Sequence, residues 1–67
     1  MSGERDPRVD PRPGDVVKPD APWGYERKVI RVTSSSVVFF VLGARFVRRL
    51  STWRSETMKF AVVAVAR

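Results

Sequence analysis

The chain contains no cysteine and no histidine. Without thiols there are no disulfide staples, no thiolate nucleophiles and no Cys/His zinc sites. Without imidazole, the commonest general base at neutral pH is missing too. Glycine is sparse: Gly3, Gly14, Gly24 and Gly43 stand alone, so no glycine-rich loop exists to cradle a phosphate. The acids beyond residue 12 (Asp15, Asp20, Glu26 and Glu56) are scattered rather than paired, at no spacing that suits a metal ion or an acid/base couple. Long apolar runs are also absent. Val37 to Leu42 and Phe60 to Ala66 fall far short of the ~20 residues of a spanning helix, and no apolar stretch follows the first charges as in a signal peptide. These gaps predict a non-enzymatic, cytoplasmic protein with no cofactor, no metal and no membrane partner.

What is present is small and basic. Sixty-seven residues suffice for one domain, with thirteen Lys+Arg against seven Asp+Glu and a formal net charge of +6. Residues 1–20 carry four basic and five acidic groups, whereas residues 21–67 carry nine basic and two acidic. All five prolines lie between Pro7 and Pro22. Residues 1–12 offer little to bury except Val9, and their polar, proline-broken composition predicts a disordered N-terminal arm. Residues 13–67 are then the folded domain.

Within it, Pro13-Gly14-Asp15 is a turn signal ahead of the apolar pair Val16-Val17, and Pro19 to Gly24 is a loop that no helix can cross. Tyr25 to Thr33 alternates as a strand, with Ile30 and Val32 on one side and Arg27, Val29 and Arg31 on the other. Ser34-Ser35-Ser36 is a turn rather than a nucleophile cluster. Val37 to Leu42, apolar on both faces, is the most strand-like segment. Gly43 permits a tight turn into Ala44 to Leu50. Ser51 to Met58 is the one helical stretch, with Ser51 as N-cap and Leu50, Trp53 and Thr57 on one face. Phe60 to Val65 is a last strand. The predicted core is Val17, Ile30, Val32, Val38, Phe40, Phe46, Leu50, Trp53, Phe60 and Val62.

Five short strands and one helical turn before the last describe an all-β chain, and closure into a small barrel would hide its apolar edges. The order resembles SH3-like barrels, in which a long first loop precedes a three-stranded meander and a helical turn precedes the final strand. Pro13-Gly14-Asp15-Val16-Val17 and Lys28-Val29-Ile30-Arg31-Val32 are similar to the opening of a KOW-type barrel, over roughly residues 13–33, with Arg27 near the place where that pattern has glycine. The chain also resembles small SH3-like proteins encoded by bacteria and phages.

The most distinctive stretch is Arg45 to Arg54. Arg45, Arg48, Arg49 and Arg54 have no acid between them and are interleaved with Phe46 and Trp53. Guanidinium groups fork onto phosphates and aromatic faces stack on bases, so this pattern points to nucleic acid, DNA or RNA, held mainly by its backbone. On a strand Arg45 and Arg49 share a face and Arg48 points away, with Arg27 and Arg31 available to extend one face and Trp23 and Tyr25 as aromatic contacts. Phe46 and Trp53 also suit a core. The resemblance to SH3-like barrels implies a different class, protein interaction, through an aromatic groove lined by Trp23, Tyr25 and Trp53. The basic charge then favours an acidic protein partner, or self-association through an exposed apolar sheet face, as in an accessory component of a virion.

Overall fold

The computed structural model describes residues 5–21 and 24–66. Five strands, β1 (Val16–Lys18), β2 (Arg27–Val32), β3 (Ser36–Val41), β4 (Ala44–Arg49) and β5 (Ala61–Ala64), form one antiparallel sheet in the order β4-β3-β2-β1-β5. Among the described residues a single helix, α1 (Leu50–Glu56), separates β4 from β5. The chain is therefore mostly strand, as its β-branched and aromatic runs require. The expected closure is not seen. β4 and β5 are the two edges of an open sheet, and no ladder joins them among the described residues. With β1 only three residues long and β5 only four, the concave side is filled instead by α1 and the N-terminal segment. Among the described residues no helix is long and apolar enough to cross a membrane.

Two turns set the meander. Between β2 and β3 the Thr33 hydroxyl accepts the Ser36 amide at 3.0 Å, and the Thr33 amide donates to the Ser36 carbonyl at 2.9 Å. Between β3 and β4, Leu42 and Gly43 both have positive φ, 52° and 82°. That is the geometry of a two-residue type I′ hairpin turn, matched to the twist of its strands. Leucine at the first position is strained there and is 75% exposed, so its side chain gains little in return.

The helix begins two residues earlier than the expected cap implies. Arg49 rather than Ser51 occupies the N-cap, without a side-chain cap, and the Leu50 amide is satisfied by the Ser35 carbonyl at 2.8 Å. Its inward face is the expected one: Trp53 and Thr57 are buried and Leu50 packs against the core.

The core itself is Val17, Val29, Val37, Phe39 and Trp53, with Val32, Val41, Leu50 and Phe60 packed around it. Five expected core residues fall there: Val17 and Trp53 at its centre, and Val32, Leu50 and Phe60 around it. Ile30 and Val38 are only half-buried, and Phe40, Phe46 and Val62 lie largely on the surface, nearly 40% exposed. Phe46 and Val62 face inward, paired with Phe39 and Val17, but stand on the edge strands β4 and β5. For the other three the reason is sidedness. In β3 every residue but Ser36 is apolar, so alternation cannot say which face is inward. The partner decides: the Trp53 ring meets Phe39 at 5.1 Å, and Phe39 turned inward sends Phe40 outward. In β2 a bulge between Val29 and Arg31 inserts Ile30 as an extra residue, which turns Val32 inward and Arg31 outward, against strict alternation.

The expected disordered arm over residues 1–12 has its described part, residues 5–12, laid against α1 and the chain end. Pro7 and Pro11 are buried. The Trp53 indole donates to the Pro7 carbonyl at 3.0 Å, Arg54 Nε to the Val9 carbonyl at 2.9 Å, and Arg8 Nη1 to the Phe60 carbonyl at 3.1 Å. Asp15 anchors the arm. Its fully buried carboxylate accepts both Nη groups of Arg5, the Arg12 amide at 2.8 Å and the Ala66 amide at 2.6 Å. Proline-broken sequence has few backbone donors of its own to satisfy, and here the arm's carbonyls are used by side chains of the domain. Gly14, at φ 96°, lets the chain pass where a Cβ would meet the Ala66 methyl at 3.1 Å.

Burial alone would push the Asp15 carboxyl up, but the Arg5 fork and the two amides outweigh it and hold the group below the usual carboxylate range. The unfolded chain then binds more protons in acid, so stability present above about pH 4 is lost as pH falls through the depressed value. Asp15→Asn, which strands Arg5, is expected to cost about 3 kcal/mol at pH 7 and to flatten the acid limb of a stability-against-pH profile followed by chemical denaturation. An unchanged acid limb would remove Asp15 from this role. Leu42→Asn, which suits the left-handed region, is expected to raise stability by about 1 kcal/mol, read as a higher thermal midpoint.

Candidate nucleic-acid interface

The sheet's two faces divide the basic residues. Residues paired across neighbouring strands share a face. On the outward face Lys28 pairs with Phe40 and Phe40 with Arg45; Arg31 pairs with Val38 and Val38 with Val47; Ser36 pairs with Arg49. Lys28, Arg31, Arg45 and Arg49 thus surround an exposed patch of Phe40 and Val47. No strand contains an acidic residue. Among the described residues none of these four cations enters a salt bridge. Cations that are exposed, same-faced and unneutralised are available to an external anion.

Arg27 and Arg48 lie on the opposite, concave face. Arg27 is within 4.9 Å of the Phe39 and Phe60 ring centres and 5.8 Å of Trp53, and its Nη1 donates to Glu56 at 3.0 Å. Arg48 sits 5.8 Å from the Phe46 ring, with its Nε 3.6 Å from the same Glu56 carboxylate. Arg54, on α1, holds the arm through Val9. Of the six arginines read from the sequence, the fold therefore brings Arg31, Arg45 and Arg49 together and sets Arg27, Arg48 and Arg54 elsewhere. The β2 bulge separates Arg27 from Arg31. Lys28 joins the outward group; its alternation with Arg27 was the signal for it.

Tyr25 is exposed, and Trp23 lies outside the described residues. Tyr25 borders a groove of about 330 Å³ on the concave side, lined also by Pro19, Gly24, Arg27, Phe39, Val41, Phe46 and Arg48. Its loop wall is tightly built: the Gly24 amide donates to the Ala21 carbonyl at 3.1 Å, and a Cβ on Gly24 would lie 2.5 Å from Pro19 Cβ. Among the described residues no cluster of three or more acidic side chains is placed to hold a metal ion. No protein-family model, curated protein or solved structure matches the chain.

The division predicts different costs. Arg27→Ala uncovers three rings and is expected to lose about 1–2 kcal/mol of stability. Arg45→Ala should stay within about 0.5 kcal/mol of the parent. Denaturant midpoints compare them directly, and equal losses would contradict the division.

Proposed function

We propose that this protein is a non-enzymatic binding module that holds nucleic acid, DNA or RNA, by its phosphates on the outward face of the sheet. The observation that carries the reading is four cations, Lys28, Arg31, Arg45 and Arg49, that share one face of a sheet whose strands carry no acid and that enter no salt bridge among the described residues. Arginine supplies forked donors matched to phosphate, and Phe40 offers an exposed ring among them. The strand order β4-β3-β2-β1-β5, with α1 just before the last strand, supports an SH3-like reading of the fold as an open relative of that barrel.

A phosphate-led contact has a thermodynamic signature. The logarithm of affinity should fall linearly with the logarithm of salt concentration, by about 0.9 per phosphate neutralised on duplex DNA. Arg45→Ala combined with Arg49→Ala should weaken binding to all sequences alike and reduce that slope by about two. Arg48→Ala should leave the slope nearly unchanged. Failure to retain DNA or RNA at low salt would refute the reading.

A second reading rests on β5. All four of its residues are exposed and uncharged, and it is a free edge. The other edge, β4, carries three arginines that discourage edge pairing. Self-association through β5 would appear as a sedimentation coefficient that rises with concentration and returns to the monomer value in Val63→Lys.

A further inference from the structure

The concave groove lies on the far side of the sheet from the outward cations, and nothing in the phosphate-led reading uses it. Its size is the first constraint. At about 330 Å³ it stands at the lower limit of small-molecule sites, room for one ring system rather than several residues of a peptide. Its surfaces are the second. Tyr25 and Phe46 are exposed rings, Phe46 stacks on Phe39 with ring centres 5.9 Å apart, and Pro19 and Val41 are apolar. A flat apolar occupant suits them.

The polar groups are the third constraint. Arg27 and Arg48 are the charged side chains of the lining, and guanidinium only donates hydrogen bonds. One carboxylate, Glu56, stands against both, so the pair keeps a net positive charge. A cationic occupant, such as an arginine-bearing peptide, is disfavoured. A flat ring with acceptors in its plane and an anion attached is favoured.

Position is the last. β4 is an edge strand, and its residues alternate across that edge: Arg45 and Arg49 outward, Phe46 and Arg48 toward the concave side. A flexible polyanion crossing this edge meets phosphate-binding arginines on one side and the aromatic groove on the other. A duplex keeps its bases stacked inside and has none to offer.

We propose that the groove takes one unstacked base of a single-stranded nucleic acid that wraps the β4 edge, stacked on Tyr25 and Phe46 with Arg27 and Arg48 donating to its acceptors. This rests on the phosphate-led reading and names its substrate: single strands rather than duplex.

The test is fluorescence anisotropy at one low salt concentration with four labelled probes. These are a twelve-nucleotide thymidine strand, the same strand with abasic sites in place of its bases, a twelve-base-pair duplex, and a short peptide alternating aspartate and phenylalanine. The expected result is single-strand binding at least about fivefold tighter than abasic or duplex binding, the lower end of what stacking one base contributes. Tyr25→Ala, at an exposed position that leaves the core intact, should abolish that excess without altering duplex affinity or the salt slope. Equal affinity for the strand, its abasic form and the duplex, with Tyr25→Ala inert, would overturn the base site while leaving phosphate binding in place. No binding to any nucleic acid would overturn both. Tyr25-dependent binding of the peptide that the single strand fails to displace would assign the groove to a protein partner instead.

Discussion

Trp53 is wholly buried on a helix of only seven residues, and its ring rests on Phe39 while its indole N–H is committed to the Pro7 carbonyl. A side chain of this size can be satisfied only on the covered side of the sheet, because exposing it would forfeit its apolar contacts and leaving the N–H unpaired would add a desolvation cost. Once Phe39 turns toward it, the two-residue period of β3 sends Val38 and Phe40 outward. The β3–β4 register then passes the same choice to β4, so Phe46 and Arg48 come in while Arg45, Val47 and Arg49 go out. The distribution of positive charge over the two faces thus follows from where one indole is buried.

The same constraint explains why the N-terminal segment is part of the structure. An open sheet with one short helix leaves backbone and side-chain polar groups on its concave side in need of partners. Residues 5–12 supply them: carbonyls for Trp53, Arg54 and Thr57, and the Arg5 guanidinium for Asp15. Among the described residues no buried side-chain nitrogen or oxygen lacks a partner. The alternating charges of this segment look weak taken locally. They become effective because Asp15 is fully buried, where an ion pair is screened far less than at the surface.

The strands, their order along the chain and the inward helix face with Leu50, Trp53 and Thr57 were legible from periodicity and turn residues. Sidedness was not. Val37 to Val41 is apolar throughout, so only the long-range contact with Trp53 breaks the tie. The bulge at Ile30 was equally hidden, because it leaves no composition mark: no glycine or proline stands there, and the extra residue is an ordinary β-former. The arm's packing was invisible for a third reason. A proline-broken, charge-alternating segment has the composition of disorder, and only the partners it meets some fifty residues later distinguish it.

For the candidate site, the arginine run was legible as a concentration of charge but not as a division of labour. Arg27 and Arg48 resemble Arg45 and Arg49 in sequence, yet they share one carboxylate and lie against aromatic rings. An arginine in that setting acts through its stem and its π-face as much as through its charge, and Arg27 covers Phe39 and Phe60 in this way. The open sheet therefore needs some of its positive charge to finish its own interior. Lys28, Arg31, Arg45 and Arg49 are among the cations that the fold leaves uncommitted, and the β4 edge is where the two populations meet.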